Sequence, residues 1–230
     1  ALLINNMIPV PQGVYKRIDI NNDKYKDYLN KDHNFDGKTI LGIFCLIIVI
    51  SGMFGWLYEV VFYYFNSGMT EVYWRGGNFL PWINIYAMGA ILIYILTYKK
   101  RKNPLFVFLV SMISTGILEY IGGAFMEHIM QIKCWDYSKE ILSFGSINGY
   151  VCLRSVLVFG ISALLLMYII VPFCFYLAKK IPKKSFLILS YTICGIFLFD
   201  ELYNLIFANL LNLPRASEVY KELGFKFLYF

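Results

Sequence analysis

The chain has 230 residues, of which 59% are hydrophobic and only 16% are charged. An average soluble domain is about 45–50% apolar and about 25% charged, so the composition excludes a disordered chain, a collagen-like fibre and an ordinary cytosolic enzyme. The formal net charge of +6 is explained by lysines in the loops between apolar runs. We therefore expect an integral membrane protein with no nucleic-acid partner.

The alternation of polar and apolar runs predicts the elements in chain order. Residues 1–38 are polar and mixed in charge, so they predict an N-terminal arm in water. Five apolar runs follow, each near or above ~18 residues, the length typical of a membrane-spanning helix. A tail over 213–230 combines charged residues with Phe and Tyr, which favours the membrane interface. The predicted spans are residues 39–65, 79–98, 105–130, 150–178 and 185–212, with a polar connection over 131–149.

These spans predict an all-α fold, a polytopic bundle of about five transmembrane helices in one domain over 39–212. With five spans, the arm and the loops after the second and fourth spans lie on one side, and they hold 14 of the 21 lysines and arginines. Because cytoplasmic loops carry the excess of Lys and Arg, we expect a multi-pass protein of the cell (plasma) membrane. Its N-terminus would be cytoplasmic and its C-terminus extracytoplasmic.

With this orientation, the ionisable residues in or beside the spans collect in the outer half of the bundle. A charge at bilayer depth costs roughly 2.5–3.5 kcal/mol and usually faces a bundle interior or a wet cavity. Glu59 and Glu119 each share a helix face with small residues at intervals of four, which lets a neighbouring helix approach. Arginine is a natural counter-charge for carboxylates. We therefore expect a polar, partly ion-paired cavity there, whose candidates for substrate binding or proton carrying are Glu59, Arg75, Glu119, Asp136 and Arg154.

Further acidic residues near the span ends are secondary candidates. Glu127 lies close to a helix end, where it equally well reaches headgroup water, and the same interfacial interpretation stays open for Arg75 and Asp136. Asp200 and Glu201 are adjacent, so their side chains point about 100° apart on a helix. Both of them can face one cavity only at its edge.

Three motifs for other chemistry are incomplete. Residues 32–37 match the first half of a calcium-binding loop, but Ile43 stands where the bidentate Glu is needed. Residues 37–39 resemble the end of a phosphate-binding loop that lacks its first glycine. His128 is the only histidine near the charged residues, and an interfacial histidine is a better interpretation than a catalytic base. We expect no metal ion and no cofactor, and no catalytic residue is assigned.

An ordered series of motifs over about residues 50–165 resembles one family, the bacterial membrane proteins classified as ABC-transporter type IV or ABC transporter permease. The resemblance implies a permease that works with a separate ATPase subunit or as a homo-oligomer, in contact with membrane lipids. It adds Tyr86 and Asn148 as secondary candidates. The motifs are Gly55-Trp56-Leu57-Tyr58-Glu59, Arg75-Gly76 with Pro81, Ile85-Tyr86 with Gly89, Leu118-Glu119-Tyr120, Trp135-Asp136-Tyr137-Ser138, Asn148-Gly149 and Cys152-Leu153-Arg154-Ser155.

Three functions remain open at this point. The first is a transporter or permease-like subunit whose outer cavity binds a polar or ionic solute, with Glu59 and Glu119 as ligands or proton carriers. The second is a membrane-embedded enzyme acting on a lipid-linked or headgroup substrate, with a glutamate as general base and an arginine holding phosphate. The third is a non-catalytic module that assembles or regulates a partner. We rank them in this order.

Overall fold

The structure is a computed structural model that describes Tyr28 and residues 33–131 and 133–227. Most of the predicted N-terminal arm therefore lies outside the described residues. All helices named below belong to the unit Phe35–Phe230. In chain order the elements are α1 Gly37–Asn66, β1 Tyr73–Trp74, α2 Asn84–Thr97, a 3₁₀ turn Tyr98–Lys100, α3 Pro104–His128, a 3₁₀ turn Tyr137–Lys139, α4 Leu153–Leu165, a π-helical turn Leu166–Ile170, α5 Val171–Lys180, α6 Lys183–Leu202, a π-helical turn Tyr203–Phe207, α7 Ala208–Leu210, α8 Ala216–Glu222 and β2 Lys226–Phe227.

Four helical segments in the described part of the chain are long and apolar enough to cross a membrane. They are Gly37–Asn66, Pro104–His128, Leu153–Lys180 and Lys183–Phe207. The predicted helical membrane bundle is thus confirmed, but the count of about five spans is not. α2 has 14 residues and rises about 21 Å, less than the hydrocarbon core of about 30 Å.

The second predicted span is shortened because its first residues form a loop. Pro81 disfavours helical backbone at the residue before it, and the backbone N–H of Ile83 donates to the carbonyl of Gly52, 3.1 Å away in the middle of α1. Residues 75–83, here called the inserted loop, therefore enter the bundle as irregular backbone before α2 starts. Such backbone is tolerated at membrane depth only where protein surrounds it.

Other helix boundaries follow from local chemistry. α3 begins after Asn103, whose side chain accepts from the N–H of Phe106 at 3.1 Å, with Pro104 in the first turn. Both features are typical of a helix start. The long segment through α4 and α5 widens into a π-helical turn just before Pro172. Proline lacks an N–H and its ring clashes with the carbonyl four residues earlier, so the helix adopts a wider turn.

α1 is the central helix of the bundle. It packs against α2, α6 and α5, and α3 packs between α2 and α4. Glycines bring the helices close together: a Cβ on Gly55 would lie 2.2 Å from the ring of Tyr86 in α2, and one on Gly160 in α4 would lie 2.7 Å from Phe108 in α3. α1 and α4 are not among the closely packed pairs, and a cleft lies between them.

The two ends of the bundle differ in chemistry. One end carries the basic residues 99–102 and 179–184; we call it the lysine-rich end. The opposite end, where α1 and α3 finish and α4 begins, carries the long connections 67–83 and 129–152; we call it the loop-rich end. There β1 and β2 form a parallel pair, with Tyr73 opposite Lys226. The interfacial position of the 213–230 tail and the domain boundaries at 38 and 212 stay predictions.

Candidate functional site

The loop-rich end contains a group of five charged residues, three buried and two partly buried, that we call the ion-pair cluster. Its members come from α1, α3, α4 and both long connections. Arg75 Nε donates to Glu59 Oε2 at 2.9 Å, and its guanidinium lies 3.9 Å from the centre of the Tyr63 ring. The other members are Glu119, Glu140 and Arg154.

Glu140 and Arg154 form the second ion pair of the cluster. Arg154 Nη2 donates to Glu140 Oε2 at 2.5 Å, and the hydroxyl of Tyr63 donates to Glu140 Oε1. The guanidinium of Arg154, at the start of α4, lies 4.1 Å from the centre of the Phe62 ring in α1. This contact joins α1 and α4 at the loop-rich end, so it closes the top of the cleft between them.

Glu119 is the most deeply buried acid of the cluster, with 2% of its surface exposed. One carboxylate oxygen accepts from the hydroxyl of Tyr137 at 2.6 Å and the other from Ser155 at 2.7 Å. Burial raises the pKa of Tyr137 well above its ordinary value, so this hydroxyl keeps its proton and donates. Both partners of Glu119 are neutral hydroxyls, whereas Glu59 and Glu140 face guanidinium groups.

The formal charges of the cluster do not cancel. Three carboxylates and two guanidinium groups leave one negative charge when all five are ionised. The excess charge belongs to Glu119, whose partners among the described residues are neutral hydroxyls, and a buried carboxylate without a counter-charge is costly. A small cavity of about 20 Å³ lies among Glu59, Glu140 and Arg154, which is room for about one water-sized group.

A second and larger cavity lies directly below the first. This cleft has a volume of about 340 Å³ and lies between α1 and α4, with α2 behind it. Its lining is almost entirely apolar and includes Phe54, Ala90 and Leu166. The two cavities share four wall residues: Tyr58, Tyr86, Val158 and Phe159.

Asp200 and Glu201 lie in a separate group, which we call the loop-anchoring cluster. Asp200 accepts from the backbone N–H groups of Phe79 and Leu80 at 3.0 and 2.9 Å. Asn78 Nδ2 donates to Glu201 Oε1 at 2.8 Å. These carboxylates therefore bind the inserted loop rather than the ion-pair cluster. Because the two side chains diverge on α6, each contacts a different part of that loop.

Asp136 lies in the connection between α3 and α4, outside the ion-pair cluster. Its carboxylate accepts from Ser138 and pairs with Lys133 at 3.0 Å, and the bond from Ser138 is the main reason why the pKa of Asp136 lies below its usual value. Gly149 has φ +77°, and a Cβ there would lie 2.4 Å from Asp136 Oδ1. Asp136 therefore orders the loop turn.

Of the three remaining secondary candidates, two lie outside the ion-pair cluster and one borders it. Glu127 lies 4.0 Å from Lys133 and is partly exposed, and the side chain of Asn148 donates to the Tyr120 hydroxyl at 3.0 Å in an exposed position. Neither residue lies in the ion-pair cluster. Tyr86 does border it, stacked on Phe159 with ring centres 5.1 Å apart.

Sequence reasoning did not single out Glu140, a member of the ion-pair cluster, or the three hydroxyl residues that donate to its carboxylates. Tyr137 and Ser155 stand inside quoted motifs, next to the candidates Asp136 and Arg154, so those motifs carried a usable signal. For Glu140 and Tyr63 the sequence contained no such signal. Glu140 lies in an irregular connection without periodicity, and its contact with Arg154 depends on how that connection folds back.

These features define an integral membrane protein of the helical-bundle class with buried charges at one end. A family model described as "Putative ABC-transporter type IV" matches residues 46–205, and the chain belongs to this family. Membership supports a transporter-like role in a membrane. No curated protein and no solved structure matches the chain.

Proposed function

We propose that the chain is a permease-like subunit of a membrane transporter, and that the ion-pair cluster binds the polar or ionic part of its solute. The observation that carries the proposal is the excess of one carboxylate over the guanidinium groups in the ion-pair cluster, counted over the described residues, beside a cavity. Buried charges in membrane proteins mark solute and ion pathways. The cluster thus favours a solute with a positively charged group, and Glu119 serves as the proton site when no solute is bound.

A transporter of the ABC type takes its energy from an ATPase. The family match covers the membrane helices, so we propose that a separate ATPase subunit, or a second copy of this chain, completes the transporter. We place it in the plasma membrane with the lysine-rich end in the cytoplasm, because the lysine-rich loops satisfy the positive-inside rule.

This orientation is tested with Lys100→Cys in a Cys134→Ser background and a membrane-impermeant maleimide. The introduced cysteine should react only after cells are permeabilised. Cys134 is exposed in the connection at the opposite end, and in the unmodified chain it should react in intact cells. Labelling of residue 100 in intact cells would overturn the orientation.

The transport proposal is tested in vesicles from cells with and without the chain, supplied with ATP and a mixture of solutes from the growth medium. Mass spectrometry of the washed vesicles should show at least one solute whose amount depends on the chain. Glu59→Gln and Glu140→Gln should abolish that difference. Glu71→Gln is the matched control, since Glu71 pairs with Lys226 on the exposed surface.

Two outcomes would contradict the proposal. The first is a solute profile that is the same with and without the chain. The second is transport by the two glutamine variants that equals transport by Glu71→Gln. A lipid product that forms only with intact Glu119 would instead support the membrane-enzyme hypothesis.

A further inference from the structure

We infer that the solute is an amphiphile with an ammonium head and one alkyl or acyl chain, which enters sideways from the bilayer through the cleft between α1 and α4. This inference rests on the proposed function and names its substrate class. It begins with the shape of the cleft. Phe54 and Ile161 at its mouth are 52% and 55% exposed, so the cleft opens on the surface of the bundle that faces lipid.

The cleft ends where α5 returns to α1. Leu166 and Ile170 are buried there and form its floor, and the π-helical turn containing them leads into α5, which packs on α1. From Val158 to Ile170 the wall extends about 18 Å at the helical rise per residue. One leaflet is about half of the 30 Å hydrocarbon core. The cleft therefore has the length of a single leaflet.

Polarity along the cleft matches that of an amphiphile in this leaflet. The charged cavity lies at the loop-rich end, and the apolar lining extends from it toward the middle of the bundle. A volume of about 340 Å³ falls within the range of about 300–1,000 Å³ for ligand pockets. The apolar groove on α3 and α4 around Ile113 has no charged residue in its lining, so it offers no place for a head group.

The head group is assigned from charge, size and wall chemistry. The small cavity is lined by Glu59, Glu140 and Arg154. Glu59 pairs with Arg75 and Glu140 with Arg154, so the excess negative charge of the cluster belongs to Glu119, whose carboxylate accepts from Tyr137 and Ser155 in the wall of this cavity. Its volume of about 20 Å³ accommodates a water-sized ammonium group and is too small for a phosphate. The wall also contains the side chains of Tyr58 and Tyr86, a residue type whose aromatic ring attracts cations where a ring face is open.

The test uses the purified chain in nanodiscs of neutral lipid, with radiolabelled dodecylamine as the probe. Protein-free nanodiscs are subtracted, so that only saturable, chain-dependent binding is counted. We expect dodecylamine to bind, with methylamine and laurate each at least about tenfold weaker. Methylamine has the head without the chain, and laurate has the chain with a negative head. Laurate is the critical competitor, because Arg154 Nε is buried without a partner among the described residues and would favour an anion.

Three variants locate the binding. Ser162→Phe places a ring in the cleft and should weaken dodecylamine binding about tenfold or more. Ile113→Phe adds the same ring to the groove on α3 and α4 and should leave binding unchanged. Glu140→Gln should weaken dodecylamine binding and reduce its preference over laurate. Ser162→Phe keeps the test decisive if the glutamine variant does not fold.

The outcomes separate this inference from the function on which it rests. If methylamine binds as well as dodecylamine, the cleft is not used, so the inference is wrong and the proposed cation transporter stands. Equal binding of laurate overturns the ammonium assignment. If no probe binds but the vesicle experiment finds a transported solute, the amphiphile class is wrong and the transporter stands.

Discussion

The ion-pair cluster and the loop-anchoring cluster lie at the same end of the bundle, yet their carboxylates have different partners. In the loop-anchoring cluster, Asp200 accepts from two backbone N–H groups and from Asn204. In the ion-pair cluster, Glu59 and Glu140 pair with side chains around a cavity. Backbone donors hold a loop in place, whereas side-chain pairs can rearrange around a ligand. The difference indicates which acids support the fold and which are available for binding.

The first of two similarly large effects is expected for Asp200→Ala. This change leaves the partly buried N–H groups of Phe79 and Leu80 without their acceptor, so it should lower the free energy of unfolding by about 3 kcal/mol. An SDS unfolding titration of the purified chain measures it. Asp200→Asn keeps one acceptor oxygen and should lose about half as much. If Asp200→Ala unfolds like the unchanged chain, the inserted loop does not depend on Asp200.

A double-mutant cycle on Arg154 and Glu140 comes next. Arg154→Met leaves Glu140 buried without its cation and should cost about 3 kcal/mol of unfolding free energy. Arg154→Met with Glu140→Gln should cost about 2 kcal/mol less than the two single changes added together. The same titration provides all four values. Strict additivity would mean that the two side chains do not interact.

Two glycines test how closely the helices around the clusters approach. A Cβ at Gly55 in α1 would overlap Tyr86 in the wall of the ion-pair cluster, so Gly55→Ala should destabilise the chain by about 2 kcal/mol. Gly195 lies in α6, the helix of Asp200, and a Cβ there meets no atom within 4 Å. Gly195→Ala should therefore stabilise by up to about 1 kcal/mol. Equal effects on the melting temperature would contradict the close contact of α1 and α2.

The smallest effect is expected for the exposed pair of Glu71 and Lys226. Lys226 and the Tyr73 hydroxyl hold the pKa of Glu71 below its ordinary value of 4.5. Because the pKa of Glu71 is lower in the folded chain than in the unfolded chain, its ionised form stabilises the fold at pH values above the unfolded pKa. This stabilisation is lost as the pH falls and Glu71 becomes protonated in the folded chain. Glu71→Gln should therefore lower the melting temperature slightly at pH 7, and the difference should shrink as the pH falls below 4.5 and disappear once Glu71 is protonated in the folded chain. A difference that grows in acid would reverse the assignment.

The candidate site was only partly accessible to sequence reasoning. The positions of Glu59, Glu119 and Arg154 within the predicted spans follow from hydropathy, because a charged residue inside an apolar run can be recognised from the sequence alone. The partner of Arg154 is not visible in this way, since Glu140 belongs to a connection whose path depends on Asp136, Gly149 and the turn between them. Whether the cluster binds a solute stays a prediction.

The amino-acid sequence by itself determined that the chain forms a helical membrane bundle, because long apolar runs in lipid can satisfy their backbone groups only as helices. It also determined where charges lie along each helix. Tertiary structure decided that residues 75–83 enter the bundle instead of extending α2, because Asp200 and Gly52 supply the acceptors for that backbone. It likewise decided that α1 and α4 stay apart around a cleft, which depends on side chains that are distant in the chain and meet only after folding.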